Sequence, residues 1–449
     1  MAMSFKGGPA QALVAATIAF SAGLASVALF ASIAKRLRDD MELDPTALGF
    51  LIAVPSLAGS LLRIPFGAWA DTVGGRLPNL VLLLTSIAGV SGLAIVFSIG
   101  TPSIAVLSIF GTMAGAGIAC FSVGIAMVGY WYPRERQGRT LGLYAGIGNT
   151  GPGLACLLVP LALEHFGIAG SYWLWVGALS LGTLIYFLIG RDAWYFQLCA
   201  AGLTPKEARA EAALQGQALF PGGTMMANLK TSAGYLRTWI MVLVYFVSFG
   251  GFLGLTAWFP IFWQNLYGLN LMTAGLVTAI FSVGTSLVRA ATGFMSDWLG
   301  GSVSALIGLA LLTAGAFVLT FSVACGTSVL GMLVMAVGMG ISNAAAFRIL
   351  PEYLPGGIGG AAGWVGGLGA LGGFFYPVVL SQFLAGGLAG DPGYHDGFAI
   401  FILSGGLGIL LLWSVQARNA LVTAFGEPSL GLRSRADRPW CLQGKDGER

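Results

Sequence analysis

Charge is what this chain has least of. Asp, Glu, Lys and Arg make up 9% of its 449 residues, against about 25% in an average soluble domain. Hydrophobic residues make up 56%, and the mean hydropathy is +0.83. A water-soluble fold cannot bury that much apolar surface, so the solvent is lipid. Histidine occurs only at His165 and His395, and the five cysteines (Cys120, Cys156, Cys199, Cys325, Cys441) show no CxxC spacing. These shortages argue against a metal centre and a disulfide framework. Neither a metal nor a cofactor is expected. The net charge is only +4, with no basic patch interleaved with aromatics, so nucleic acid is not an expected partner.

What is present is a series of long apolar runs. A span needs about 20 largely apolar residues. Twelve stretches qualify: 10–34, 46–70, 77–99, 102–131, 140–163, 172–190, 238–263, 272–297, 303–323, 328–350, 359–384 and 397–420. The first is too long for a signal-peptide core and reads as an uncleaved span. The 69 glycines lie largely inside these runs, where small residues let membrane helices approach closely. With the N-terminus in the cytoplasm, 17 of the 22 Lys and Arg fall in inside loops and tails. The positive-inside rule then places both termini in the cytoplasm. The expectation is an all-α membrane protein, working as a monomer in a bacterial inner-membrane bilayer. Its parts are a six-helix half (1–190), a cytoplasmic central loop (191–237), a second six-helix half (238–426) and a cytoplasmic tail (427–449). The loop carries a predicted amphipathic helix near Pro205–Gln217.

The halves repeat. Arg63, Gly67, Asp71, Gly74 and Gly75 match Arg289, Gly293, Asp297, Gly300 and Gly301 at one constant offset of 226. The same offset carries Phe121 onto Phe347. Gly142, Gly146, Gly148 and Gly151 in span five map onto Gly363, Gly367, Gly369 and Gly372 in span eleven at an offset of 221. Two halves with the same in/out sense are parallel repeats, related by an axis along the membrane normal. Carriers of this kind bind substrate near mid-membrane between the halves.

Arg63 lies eight residues before Asp71, about 12 Å along a helix and so near the centre of a hydrocarbon core about 30 Å thick. Arg289 sits at the same depth by the repeat. An arginine there costs at least ~2.5 kcal/mol on insertion scales and usually faces the bundle interior. None of the 18 Asp and Glu falls in the middle of a span, so the pair is expected to lack a fixed counter-charge. That favours an anionic substrate, and the arginine fork suits a planar oxoanion. Asn149, Tyr245, Phe121, Phe249 and Phe347 are further candidate wall groups.

The stretch Gly67 to Arg76, with Asp71 and Arg76, resembles the cytoplasmic loop signature of the major facilitator superfamily, and Asp297 marks its second copy. Gly146-Ile-Gly148-Asn149-Thr-Gly151 and Gly363-Trp-Val-Gly-Gly367-Leu-Gly369-Ala370-Leu-Gly372 resemble the two signatures of the nitrate/nitrite porter family. Phe347 to Pro355 and the Tyr245 to Phe252 stretch also resemble family segments. The resemblance implies that Arg63 and Arg289 bind the anion, with Asn149 as the signature asparagine. It implies that Phe121 and Phe347 sandwich the ion and that the signature glycines permit rocking. Ala370 stands where symmetry with Asn149 would place a second donor.

The expected function is transport of nitrate and nitrite by alternating access, most simply as an antiporter. An empty cavity would hold two desolvated, repelling cations, so the loaded form switches more readily. Proton symport usually needs a titratable relay in the membrane. Symport with protons, transport of another small anion and a transport-dead sensor are the competing readings. No buried acid–base pair or nucleophile dyad points to an enzyme.

Overall fold

The computed structural model describes residues 6–100, 102–221, 225–353, 358–384 and 393–425, and their side chains except at 134–135, 225–228, 294–297, 350–353, 358–360 and 419–425. Among the described residues, eleven helical stretches are long and apolar enough to cross a membrane. One of these, Arg136–Ile189, has 54 residues, twice what a bilayer requires. It breaks at Gly167, where φ is 65° and ψ −173°. Nothing lies near a Cβ built there, so glycine serves the backbone conformation rather than packing. The break restores the expected twelve spans.

We number them α1 (Pro9–Met41), α2 (Pro45–Val73), α3 (Arg76–Ile99), α4 (Ile104–Trp131), α5 and α6 (before and after Gly167), α7 (Leu236–Tyr267), α8 (Leu271–Leu299), α9 (Gly301–Phe321), α10 (Cys325–Tyr353), α11 (Ala361–Gln382) and α12 (Asp396–Arg418). One end of the bundle carries the linker between α6 and α7. The N-terminal segment meets it there, with the Gln197 side chain donating to the Lys6 carbonyl at 2.8 Å. We call this the linker end and the opposite one the far end.

The repeat extends over the whole of α2 and α8. Asp44 caps α2 by accepting from the Ala47 amide at 2.9 Å, and Asn270, 226 residues on, caps α8 through the Thr273 amide at 2.8 Å. Such caps contribute about 1 kcal/mol each. Both helices stop at a glycine with positive φ, Gly74 at 89° and Gly300 at 85°.

Two seams join the halves. Along α2 and α11, Gly49 packs on Ser381, Gly373 on Ser56 and Gly367 on Ile64. Along α5 and α8, Gly275 packs on Cys156 and Pro160, Gly153 on Ser282 and Gly146 on Ala290. Along both seams these contacts run from the far end to the level of Arg63 and Arg289.

Three local features differ from the simple span pattern. α1 runs past residue 34 through two 3-10 turns into the polar helix Ala34–Met41. α7 contains a π-turn at Phe246–Gly250, a feature frequent at functional sites. The linker helix starts at Pro205 under a Thr204/Glu207 capping box but ends at Leu214 rather than Gln217. Gly216 turns the chain there with φ 93°, which lets the Gln217 side chain accept from the Tyr195 amide at 3.0 Å.

Candidate functional site

Arg63 on α2 and Arg289 on α8 come together on the central axis, 1% and 3% exposed. The Arg63 guanidinium donates to the Gly366 carbonyl of α11 at 3.0 Å and to the Ile118 carbonyl of α4 at 3.4 Å. Its Nε has no partner. Arg289 donates to the Tyr245 hydroxyl at 3.5 Å. Arg36 pairs with Asp40 on the polar extension of α1. Neither Arg63 nor Arg289 has a carboxylate partner among the described residues.

A stack of rings holds both cations. Tyr245 and Phe249 stack at 4.7 Å and 10°, Phe249 and Phe121 at 5.8 Å and 23°, and Phe121 and Tyr144 at 6.2 Å and 17°. The Arg63 carbon Cζ lies 4.7 Å from the Phe121 ring centre and 4.9 Å from that of Phe249. For Arg289 the distances are 5.6 and 5.5 Å. Cation–π contacts of this length are worth about 0.5–2 kcal/mol, most when desolvated. They replace part of the lost hydration without neutralising the charge.

The geometry alters the expected roles of the rings. Phe121 and Phe347 meet edge to face, at 5.9 Å and 64°, so they are not parallel walls. Phe249 is the parallel partner of Phe121. Phe249 follows Tyr245 by four residues on α7, which puts the two rings on one helix face as a stacked pair. Phe347 instead stands perpendicular to Tyr245, 5.1 Å away.

The signature glycines pack as two equivalent sets. A Cβ on Gly146, Gly148 or Gly151 would collide with Ala290, Phe20 or Ser21. On Gly367, Gly369 or Gly372 it would collide with Ile64, Tyr245 or Phe246. Each signature helix is therefore pressed against the arginine helix of the other half and the first helix of its own half or the equivalent α7. Ala290 matches Ile64 at the offset of 226, and Phe20 and Ser21 match Tyr245 and Phe246 at 225. Phe20 is thus the counterpart of Tyr245, and it packs on Phe121 at 5.1 Å.

Asn149 is fully buried, and neither amide atom has a partner. It lies on α5 between Gly146 and Gly153, which face Ala290 and Ser282, so the antiparallel register sets it opposite Ser286. Asn343 on α10, one turn before Phe347, is likewise fully buried with both amide atoms unpartnered. The hydroxyls of Ser56, Ser60 and Ser282 are also buried without partners. An orphaned buried polar group costs about 1–3 kcal/mol, so the two unpartnered amides of Asn149 and Asn343 are placed to serve a polar guest. Asn343, Tyr144, Phe20 and the serines were not among the expected residues. The serines have a sequence signal, since Ser56 and Ser60 repeat as Ser282 and Ser286 at the arginine offset.

The loop signature sits at the linker end. Asp71 accepts from the Tyr130 hydroxyl at 2.7 Å. The Arg76 amide donates to Asp192 at 2.8 Å, and its guanidinium donates to the Phe187 carbonyl at 3.0 Å. Burial raises the Asp192 carboxyl above its ordinary value, against the lowering effect of the Arg76 and Gly75 amides. The side chain of Asp297 lies outside the described residues.

A twelve-span bundle of two repeated halves, closed around a buried polar centre at their shared axis, is a membrane carrier. Its chain matches the Major Facilitator Superfamily model over residues 13–377. The probable nitrate/nitrite antiporter of Thermus thermophilus is 30% identical, over 81% of this chain and 83% of that one. The nitrite extrusion protein of Bacillus subtilis is 29% identical, over 82% of this chain and 85% of that one. The xylose transporter XylE of E. coli shares the fold, with a TM-score of 0.69 at 15% identity, covering 90% of this chain and 99% of that one. The chain belongs to the nitrate/nitrite porter family of the Major Facilitator Superfamily.

Proposed function

We propose that this protein carries nitrate and nitrite across the bacterial inner membrane by exchange, as a monomer with both termini and the linker end in the cytoplasm. The observation that carries this reading is the arginine pair, buried and without a carboxylate partner among the described residues. The two guanidinium carbons lie 4.7 and 5.6 Å from the same Phe121 ring centre, so the like charges repel, on top of what each cation loses by leaving water. One bound monovalent anion relieves both terms. The loaded carrier then passes through the closed state more easily than the empty one, which is the condition for exchange.

Arg63 and Arg289 hold the anion, and Tyr245 orients Arg289. The Phe121–Phe249 stack keeps the surroundings dry, with Phe347 across its edge. Asn149 offers a neutral amide donor, and its unpartnered atoms support that role. The glycine seams let the halves rock, and the loop of Asp71 and Arg76 closes the cytoplasmic side. The names of the relatives, a nitrate/nitrite antiporter and a nitrite extruder, support the choice of anion. The test is nitrate uptake into proteoliposomes loaded with nitrite, compared with unloaded ones. Uptake should be fast only in loaded vesicles. Equal uptake in both would overturn exchange, and equal competition by formate or acetate would overturn the preference for nitrate.

A further inference from the structure

Among the described residues, three asparagines are fully buried: Asn79, Asn149 and Asn343. Asn79 has a structural use for its amide, which donates to the Tyr186 hydroxyl at 3.2 Å. Asn149 and Asn343 leave both amide atoms unpartnered. Asn149 already stands among the proposed anion donors, whereas Asn343 has no task. Burying an amide with neither atom satisfied is unfavourable, and an apolar residue would fill the same space at less cost.

The contacts of α10 fix where Asn343 lies. α8 and α10 both run from the far end to the linker end. A Cβ on Gly340 would meet the Val288 side chain at 2.7 Å and the Thr285 carbonyl at 2.8 Å. Three residues further along both helices, Asn343 is level with the stretch that holds Arg289. On the neighbouring side, a Cβ on Gly251 of α7 would meet the Met339 methyl at 2.9 Å. α7 runs the opposite way, so Asn343, four residues past Met339, is level with Val247, between Tyr245 and Phe249. At about 100° per residue, Asn343 projects between the α8-facing line of Gly340 and the α7-facing line of Met339, about 40° from Phe347. Phe347 itself meets the rings of Tyr245 and Phe121 at 5.1 and 5.9 Å. Asn343 thus faces the corner where α7 and α8 bring Tyr245 and Arg289 within 3.5 Å.

The repeat gives this amide no twin. Its counterpart at the offset of 226 is Gly117, where a Cβ would come within 2.8 Å of the Gly23 backbone. The counterpart of Asn149 at the offset of 221 is the buried Ala370. Each half therefore supplies one amide, from helices that are not equivalent. The two differ in what they move with. Asn149 faces α8 across the seam between the halves, so rocking of one half against the other changes its distance from Arg289. Asn343 and Arg289 lie on adjoining helices of the same half and travel together.

We infer that Asn343 is a further anion-binding residue, a neutral amide donor that holds a nitrate or nitrite oxygen beside Arg289 and stays with it on both faces of the membrane. This rests on the proposed anion transport. The amide adds a hydrogen bond without adding charge, so one monovalent anion remains the counter-ion of the arginine pair.

The test uses N343A and N343L in the full chain, with nitrate as the probe. Leucine fills the volume of the amide side chain and alanine leaves it open, but neither can donate. Both variants should bind nitrate at least ~5-fold more weakly by calorimetry in detergent. KM for nitrate in nitrite-loaded right-side-out and inverted vesicles should rise by the same factor from both faces. Empty N343L should unfold at no lower temperature than the unaltered protein, because it loses no hydrogen bond. Unchanged nitrate affinity in N343A overturns the inference. Affinity restored by leucine, or a lower unfolding temperature for empty N343L, overturns it too by assigning the residue to packing. A KM raised from one face only contradicts an amide that accompanies Arg289. Failure of the unaltered protein to bind nitrate would instead refute the proposed function.

Discussion

Replacing Arg63 by lysine keeps a cation at the site and removes only its shape. In the structure the guanidinium reaches carbonyls of two helices, Gly366 at 3.0 Å and Ile118 at 3.4 Å, while lying 4.7 and 4.9 Å from two ring centres. Its Nε is left over. A planar fork can serve the protein and still present parallel donors to a planar ion, whereas an ammonium is a compact point charge. If lysine loses one charge-assisted hydrogen bond to nitrate, the loss is about 1.5–3 kcal/mol, or roughly 10- to 150-fold in affinity. R63K should therefore bind nitrate at least ~10-fold more weakly by calorimetry, while keeping its preference for anions over neutral solutes. Chloride, which is spherical, should lose less, so the nitrate-to-chloride ratio should fall. Nitrate affinity within twofold of the unaltered protein, with the ratio unchanged, would refute planar recognition by this fork.

Other perturbations test neighbouring parts. Tyr245→Phe keeps the ring stacked on Phe249 but removes the hydroxyl 3.5 Å from Arg289. At that length the bond is weak, so nitrate affinity should fall about fivefold, near 1 kcal/mol, with unchanged thermal stability. Gly151→Ala would drive a Cβ into the Ser21 backbone. Overpacking of this kind costs about 1–3 kcal/mol, so its thermal unfolding should come several degrees lower. Asp192 has a raised folded-state value, so the native state binds more protons than the unfolded one. This group's contribution to stability is present at low pH and is lost as pH rises from the ordinary carboxylate value through the raised one. Asp192→Asn should flatten that part of the stability–pH curve, as read by thermal unfolding from pH 4 upward.

Much of this site was legible because it is doubled. Arg63 and Arg289 stand out as charges in apolar runs, and the shared offset shows that they are equivalent. The structure extends that offset to the caps Asp44 and Asn270 and the stops Gly74 and Gly300. The ring roles were not legible. Phe121, Phe249 and Phe347 look alike in an apolar run, and hydrophobic periodicity does not say which ring stacks on which. Phe20 and Tyr144 are hidden for the same reason. Asn343 has no counterpart in the first half, since the offset places Gly117 there. Serine is ambiguous in a membrane helix, because it can satisfy itself on its own backbone. Only the coordinates separate Ser56 and Ser282 from Ser248. The fusion of α5 and α6 was the reverse case. Apolar length alone merges them, whereas the polar residues near Glu164 and His165 and the positive φ at Gly167 divide them.

The central claim is that one monovalent anion at a time serves as the counter-ion of the arginine pair, and that nitrate and nitrite exchange one for one with no other ion moving. The most direct measurement is the initial rate of nitrate/nitrite exchange in proteoliposomes, with the membrane potential clamped at several values and a pH gradient imposed or abolished. One-for-one exchange of monovalent anions is electroneutral, so the rate should be insensitive to both. A rate that follows the potential, or nitrate accumulation driven by the pH gradient in vesicles without internal anion, would contradict the account.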